Sequence, residues 1–98
     1  MQIIPVSDTP NQTFNVMLAG QACMIDLYQT NGYGLYCDLY VNNVPIIGGV
    51  VCENLNRIVR DAYLGFIGDL YWNDTAGKDD PSYPGLGTRF QFCYLNAA

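Results

Sequence analysis

Ala22–Gln29 reads ACMIDLYQ, and Leu35–Val41 reads LYCDLYV. In both stretches apolar side chains alternate with polar or amphipathic ones, and successive side chains of a β-strand point to opposite faces of its sheet. Each stretch therefore predicts a strand with one buried face, and the glycine-bearing residues 30–34 between them predict the loop of a hairpin. The side chains predicted to face inward are Cys23, Ile25, Leu27, Leu35, Cys37, Leu39 and Val41.

The segments on either side of this hairpin continue the alternation. Thr13–Leu18 precedes it and is joined to it by a turn at residues 19–21. After it, Asn42–Asn43 predicts a tight two-residue turn, because asparagine tolerates positive φ angles. The turn leads to a strand at Val44–Cys52, in which Pro45 predicts an edge position or an irregular start because proline has no N–H to donate.

The second half of the chain is less regular. Short strands are predicted at Asp69–Asn73 and Arg89–Leu95, and the apolar spacing within residues 53–68 permits one helical turn or a structured loop. Residues 74–88 predict a long loop, which in a small domain is commonly functional or mobile. The fold class expected is all-β, with roughly six or seven strands. We expect residues 1–98 to form a single domain, a small antiparallel barrel or sandwich with one irregular or short helical segment.

Composition excludes several classes of function. The 98 residues carry nine acidic and four basic side chains, a net charge of -5, and no histidine. So few bases cannot assemble a phosphate-binding surface, and binding to nucleic acid or to an anionic membrane is not expected. Without histidine the chain lacks the commonest general base near neutral pH and the commonest metal ligand. The longest apolar run, residues 46–52, is too short to cross a bilayer, and the first residues do not resemble a secretory signal, so we expect a soluble, cytosolic or virion-assembled protein.

The four cysteines, Cys23, Cys37, Cys52 and Cys93, each fall within a predicted strand. A disulfide or a cysteine-only metal site is the alternative, but the spacings contain no Cys-x-x-Cys pair. Free cysteine is among the residues most often buried. We therefore expect reduced thiols that serve as small apolar residues of the core.

Two carboxylates are expected to meet on the polar face of the central hairpin. If the hairpin is symmetric about its loop, Asp26 lies opposite Asp38, with Tyr28, Tyr36 and Tyr40 around them. Paired carboxylates can share a proton in acid–base catalysis or bind a cation, but no third group supports such a site. We favour a tyrosine-rich surface for a protein partner, since amphipathic aromatic side chains are enriched at interfaces. Ordinary cross-strand pairing of the tyrosines is the alternative.

Two other patterns resemble known binding loops only superficially. Asp74, Asp79 and Asp80 lack the Asp-x-Asp-x-Asp-Gly spacing of a calcium loop. Residues 32–34 and 85–87 (GYG and GLG) do not join a strand to a helix as phosphate-binding loops do. No catalytic residue, metal or cofactor is therefore predicted.

A further pattern extends over nearly the whole chain, in the segments 2–5 (QIIP), 11–13 (NQT), 34–36 (GLY), 38–41 (DLYV), 54–60 (NLNRIVR), 62–66 (AYLGF), 68–70 (GDL), 79–81 (DDP), 85–87 (GLG), 89–91 (RFQ) and 94–95 (YL). In order and spacing these segments resemble the cyanophage-type baseplate plug family of tailed phages and prophages. The resemblance implies a structural component of the tail baseplate that plugs or braces the distal end of the tail tube through protein–protein contacts. It implies no enzymatic activity and no cofactor.

The resemblance also implies partners and a location. The partners are other tail proteins of the hub, spike and tube, in a symmetric homo-oligomer or hetero-complex. The location is the baseplate of the virion, assembled in the cytoplasm of the host bacterium. The residues expected at the partner interface are Arg57, Arg60, Tyr63, Phe66, Tyr28, Tyr36, Tyr40, Asp79, Asp80 and Tyr83.

Alternatives stay open at this point. Arg57 and Arg60 either form ion pairs with a neighbouring subunit or pair internally with Asp61, Asp69 or Glu53, since arginine serves both purposes. A small β-type adhesion or carbohydrate-binding module would use its tyrosines and Trp72 to stack on sugars. An enzyme would use the Asp26 and Asp38 carboxylates.

Overall fold

The computed structural model describes residues 2–30, 34–60 and 65–95. The strands in these ranges pair antiparallel, and none of the helices there is long and apolar enough to cross a bilayer. The all-β prediction is therefore confirmed. In chain order the elements are β1 (Gln2–Ile4), β2 (Asn11–Leu18), β3 (Gln21–Thr30), β4 (Gly34–Val41), β5 (Val44–Val51), β6 (Asp69–Asp74), a 3-10 helix (Tyr83–Gly85) and β7 (Phe90–Leu95).

Two sheets share one core. One sheet is a four-stranded meander in the order β2-β3-β4-β5, and the other has the order β1-β7-β6. Buried side chains of both sheets, among them Ile25, Leu39, Leu70 and Phe92, form a single apolar cluster. Because no strand pairing among the described residues joins one sheet to the other, the architecture is the sandwich and not the barrel.

Two tight turns of the same kind shape the four-stranded sheet. Ala19 and Gly20 have φ angles of 50° and 77°, and Asn42 and Asn43 have 51° and 65°. Two central residues with positive φ form the type I′ turn, whose twist matches that of the strands it joins. The turn predicted from Asn42–Asn43 is confirmed.

The central hairpin has the symmetric register. Asp26 pairs with Asp38, Leu27 with Cys37 and Cys23 with Val41. Alternate residues are buried from residue 21 to residue 27 on β3 and from residue 35 to residue 39 on β4. A slip of one residue would bring the acids inside, so the apolar face specifies this register.

β5 is irregular, as Pro45 predicted. Its pairing with β4 shifts register on both sides of Leu39, and Gly49 has a φ of 65°. The strand lies at the edge of its sheet, where a missing N–H costs no ladder hydrogen bond.

The three-stranded sheet contributes the large aromatic side chains of the core. Trp72 on β6 stacks on Phe92 of β7, with ring centroids 4.5 Å apart and an interplanar angle of 12°. Both side chains are fully buried. The strands predicted at Asp69–Asn73 and Arg89–Leu95 are confirmed, and their ends differ from the predicted ones by at most one residue. β1 was not predicted, because its three residues are too few to show an alternation in the sequence.

The segment after β5 forms a structured loop, one of the two forms expected for it. In its described residues, 53–60 and 65–68, the structure has bends, an isolated bridge and one hydrogen-bonded turn, in which the Asn56 N–H donates to the Glu53 carbonyl at 3.2 Å, but no helix. The reason is that Leu55 and Ile58 donate their N–H groups to the carbonyls of Trp72 and Leu70 on β6, at 2.8 and 2.9 Å. Donors used in this way are lost to the hydrogen bonds of a helix.

The described cysteines are all buried free thiols, as predicted. A hydrogen bond with the Cys52 thiol, together with burial, raises the pKa of Cys37, and burial raises the pKa of Cys23 and Cys93. Since the thiolate is the reactive form of cysteine, a raised pKa makes the thiols of Cys23, Cys37 and Cys93 less reactive.

A buried amide side chain joins the two sheets. Gln21, the first residue of β3, donates to the carbonyls of Leu18 at 3.0 Å and Ile67 at 3.2 Å, and it accepts the N–H of Ile67 at 2.9 Å. The hydroxyl of Tyr94 on β7 donates to the same Ile67 carbonyl. The backbone at Ile67 is therefore held by one side chain from each sheet.

Candidate interaction surface

The outer face of the four-stranded sheet carries the acidic and aromatic side chains predicted from the central hairpin. Asp26 and Tyr28 on β3 lie opposite Asp38 and Tyr36 on β4, and Tyr40 lies further along β4. We call these five residues the acid–tyrosine face. All five are half-buried, because neighbouring side chains on a sheet cover part of one another.

The two carboxylates of this face accept hydrogen bonds from different donors. The Thr13 hydroxyl on β2 donates to Asp26 at 2.7 Å. Asp38 accepts the Gly49 N–H of β5 at 2.7 Å and the Tyr28 hydroxyl at 3.0 Å. Both carboxylates are thus held by neutral donors, and neither takes part in an ion pair within the described residues.

The tyrosines are fixed in place by the same contacts. The rings of Tyr28 and Tyr36 stack with centroids 5.9 Å apart and an interplanar angle of 17°. Burial, together with the hydrogen bond to Asp38, raises the pKa of Tyr28 to about 12. The hydroxyl therefore remains a donor at neutral pH, and rings that are already ordered lose little conformational entropy when a partner binds.

The two carboxylates do not have the geometry of a catalytic pair. A catalytic carboxylate pair shares a proton or faces a common substrate, whereas Asp26 and Asp38 each accept from their own donors on an open sheet face. Among the described residues, no three Cys, Asp or Glu side chains are grouped so that they could hold a metal ion.

A second exposed group lies on the loop after β5. Asn54 forms a bridge with Trp72, and the Leu55 N–H donates to the Trp72 carbonyl at 2.8 Å. Leu55 has a φ of 63°, and its side chain is 61% exposed. A leucine held in solvent by a left-handed backbone is costly, and such positions are concentrated at functional sites.

Arg57 and Arg60 lie on the same loop, and both are exposed. The Arg60 Nε donates to the Arg57 carbonyl at 2.6 Å. The buried Asp69 carboxylate accepts the backbone N–H groups of Val59 at 2.8 Å and Arg60 at 2.9 Å. Asp69 therefore holds this loop through the backbone and not through the guanidinium groups that the sequence suggested.

The other residues expected near this loop differ in position. Phe66 is buried and packs edge-on against Tyr94, with ring centroids 5.8 Å apart. It is a core residue and presents no ring at the surface, because its neighbour Ile67 is the side chain that points outward, 53% exposed. Tyr63 and Asp61 lie outside the described residues.

Asp74 and Arg89 anchor the two ends of the long loop 74–88. The Arg89 Nε and Nη2 donate to the two oxygens of Asp74 at 2.8 Å each, and Nη2 also contacts Asp79 at 2.8 Å. The hydrogen bonds from Arg89 hold the pKa of Asp74 well below its usual range. This bidentate geometry is the strong form of an arginine–carboxylate pair.

The middle of the long loop is attached to other parts of the fold. Asp80 accepts the Asn54 N–H at 2.9 Å, and the Tyr83 N–H donates to the Gln29 side chain of β3 at 3.0 Å. The Tyr83 side chain is 38% exposed. Contacts within the chain therefore order this loop, and they bring Asp80 next to the loop that carries Arg57.

Sequence reasoning missed an apolar groove at one end of the outer face. It has a volume of about 420 Å³ and lies between the β2–β3 and β4–β5 turns. Met17 beside it is 61% exposed. The sequence does place Met17 on the outward-facing side of the alternation along β2, but the prediction used only the inward-facing residues. The residues lining the groove include Asn15, Val16, Met17, Met24, Asn42 and Asn43.

The match with a known family supports one of the classes of function left open above, the structural component of a phage tail. A family model described as "Cyanophage baseplate Pam3 plug gp18" matches residues 1–97. The chain belongs to the cyanophage baseplate plug family. No curated protein matches it. The resemblance drawn from the sequence segments is confirmed, and as a baseplate plug the chain is a structural protein of the phage tail, located in the baseplate among other tail proteins.

Membership in the plug family agrees with the burial of the aromatic side chains. Trp72, which a carbohydrate-binding module would use for stacking, is fully buried against Phe92. The tyrosines of the acid–tyrosine face remain accessible in part. For this plug protein, that face and the Leu55–Arg60 loop are two of the surfaces that carry residues predicted at the interface. The exposed residues Asp79, Asp80 and Tyr83 of the long loop form a third.

Proposed function

We propose that the protein plugs or braces the distal end of the tail tube through contacts with hub, spike and tube proteins, without catalysing a reaction. The observation that carries this proposal is the family match over residues 1–97. The protein would be assembled into a symmetric complex in the host cytoplasm and remain in the baseplate of the virion.

The chemistry of the two surfaces supports a role in assembly. The acid–tyrosine face belongs to a chain with a net charge of -5, so it favours a basic surface on one neighbour. The Leu55–Arg60 loop exposes the guanidinium groups of Arg57 and Arg60, so it favours an acidic surface on another. Opposite preferences on two parts of one small domain allow it to bridge two different neighbours.

The rigidity of both surfaces also supports a bracing role. The rings of Tyr28 and Tyr36 are stacked, and Asp69 fixes the Leu55–Arg60 loop through two backbone N–H groups. Surfaces ordered before binding transmit load and bind without a large entropic cost.

The first experiment locates the protein. Tail particles are purified from the source phage or induced prophage, the protein is quantified by mass spectrometry, and antibody label is located by electron microscopy. Label at the tail tip is the expected result. Absence of the protein from intact particles would refute the proposal.

A substitution at Tyr40 then tests the acid–tyrosine face. Tyr40→Ala removes the ring and is expected to reduce the copy number in particles, whereas Tyr40→Phe retains the ring and serves as the matched control. Circular dichroism and thermal unfolding establish that both variants fold. If Tyr40→Ala is incorporated as well as the wild type, this face is not the contact.

A further inference from the structure

Three of the four sheet edges in the sandwich are blocked. β1 is only three residues long. The outer edge of β6 is covered by the loop whose Leu55 and Ile58 N–H groups donate to β6 carbonyls. β5 carries Pro45 and a shift of register. Short length, a covering segment, proline and bulges are the features by which natural proteins keep an edge from pairing with another chain.

β2 has none of these features. It is eight residues long, has neither charge nor proline, and pairs with β3 without a shift of register. The Gln29 N–H donates to the Pro10 carbonyl at 2.7 Å. Because hydrogen-bonding direction alternates along an antiparallel pair, this bond places the N–H and C=O groups of Thr13, Asn15 and Met17 on the side away from β3. No described residue pairs with them there.

We propose that the outer edge of β2 binds an extended segment of a neighbouring tail protein as a fifth strand, and that this segment carries a lysine or arginine facing Asp26. The inference rests on the proposed role in assembly and names the kind of partner. In this mode of recognition main-chain hydrogen bonds supply affinity, and alternate side chains supply specificity.

The position of Asp26 supplies the argument for a basic residue. Its carboxylate is drawn towards β2 by the Thr13 hydroxyl, 2.7 Å away. Neighbouring strands lie roughly 5 Å apart, so an added strand beside β2 lies about 10 Å from β3. A long basic side chain on the outer face of that strand reaches back across Thr13 to Asp26, and it neutralises a carboxylate that has no ion-pair partner among the described residues.

The inner face of β2 specifies the other side of the incoming segment. Phe14 and Val16 pack against the core but remain half-exposed. An added strand would cover them with apolar side chains. The segment therefore alternates apolar with polar residues and includes one base.

A second copy of this chain fits less well. The β2 strand of another copy offers no basic residue to Asp26. It also brings another net charge of -5 to the contact. Charge complementarity thus favours a different protein.

The edge is tested by substituting Asn15. The Asn15 N–H points away from β3. Asn15→Pro therefore removes a donor from the outer edge and leaves the hydrogen bonds between β2 and β3 intact, whereas Asn15→Ala changes only the side chain. Tagged variants are supplied in trans, and their copy number in purified particles is measured against the wild type. We expect Asn15→Ala to be incorporated normally and Asn15→Pro to fall about tenfold or more. Normal incorporation of Asn15→Pro would overturn the inference.

A cross-link identifies the partner without relying on the folding of the proline variant. p-Benzoylphenylalanine in place of Asn15 is activated in particles, and the same residue in place of Pro45 on β5 is the control. The expected product at position 15 is an extended segment of another tail protein with alternating apolar residues and a lysine or arginine. A product with β2 of a second copy, or with a segment that lacks a base, would overturn the inference.

The two proposals fail differently. If the wild-type protein is absent from particles, the assembly role fails and the strand-docking inference fails with it. If the wild type is present, and position 15 gives no cross-link while Asn15→Pro is incorporated normally, only the docking inference fails.

Discussion

Replacing Gln21 with methionine should show how much the buried link between the sheets contributes to stability. Methionine has nearly the same length and volume as glutamine but no amide. Gln21→Met therefore removes the bonds to the Leu18 carbonyl and to both backbone groups of Ile67 while it leaves the apolar packing almost unchanged.

The magnitude follows from the bonds that are lost. Each hydrogen bond contributes about 0.5–1.5 kcal/mol net, and partners left buried without a donor or acceptor make the loss larger. The Ile67 carbonyl keeps the Tyr94 hydroxyl as a donor, which reduces the penalty there. We expect a loss of about 2–3 kcal/mol in the free energy of unfolding. For a domain of this size this corresponds to a fall in Tm of roughly 8–24 °C.

Gln12 offers a matched control. Its side chain also bonds to both backbone groups of one residue, accepting the Ser7 N–H at 3.0 Å and donating to the Ser7 carbonyl at 2.6 Å. These bonds are exposed, so water replaces them when the amide is removed. Gln12→Met should therefore cost less than about 1 kcal/mol.

Urea unfolding followed by fluorescence measures both variants. Trp72 is the single tryptophan and is fully buried, so its emission reports the opening of the core. The slope of the unfolding free energy against urea should match that of the wild type, because the same surface is exposed on unfolding. If Gln21→Met is as stable as Gln12→Met, the reasoning about the buried link is wrong.

Four further substitutions, each at a single residue, have expected outcomes. Gly20→Ala, at a φ of 77° with open space around the new Cβ, should cost roughly 1–2 kcal/mol in thermal unfolding. Gly68 has a φ of 93°, and a Cβ there would meet the Leu95 carbonyl and the Tyr94 ring, so Gly68→Ala should lower the free energy of unfolding distinctly more than Gly20→Ala does. Equal losses in the two variants would contradict the close packing of Leu95 and Tyr94 around Gly68. Because the pKa of Asp74 is lower in the folded protein than its unfolded value of 3.8, the ionised carboxylate stabilises the fold above pH 3.8, and this stabilisation is lost as the pH falls below that value. The difference in unfolding free energy between wild type and Asp74→Asn, measured in urea, should therefore decrease on acidification. A difference that stays constant with pH would contradict the ion pair. Because the pKa of Tyr28 is raised to about 12 in the folded protein, the neutral hydroxyl stabilises the fold below pH 10, and this stabilisation is lost as the pH rises from 10 to about 12. Tyr28→Phe should therefore lose less unfolding free energy over that interval than the wild type. An equal loss in both proteins would contradict the raised pKa.

Much of the four-stranded sheet follows from local sequence. The alternation at Ala22–Gln29 and Leu35–Val41 predicts the strands, the inward face and the register that places Asp26 opposite Asp38. The reason is that a strand with one apolar face has only one favourable register. The asparagine turn and the edge position of β5 are predicted for similarly local reasons. The family segments also indicate the baseplate plug family.

Features that depend on distant contacts could not be predicted in this way. The loop after β5 is shaped by carbonyls of β6 and by Asp69, so its apolar spacing alone allowed a helical turn. Phe66 and Ile67 are adjacent apolar residues, and only the packing against Tyr94 decides which of them is buried.

The sequence by itself determined the all-β class, the central hairpin and its acid–tyrosine face, because alternation acts between nearest neighbours along one strand and its partner. The tertiary structure decided that the two sheets form a sandwich and that Gln21 and Tyr94 meet at Ile67. It also decided that three sheet edges are blocked, while the outer edge of β2 pairs with no described residue. Pairings between residues far apart in the chain depend on how the whole core fills, and no local pattern encodes that.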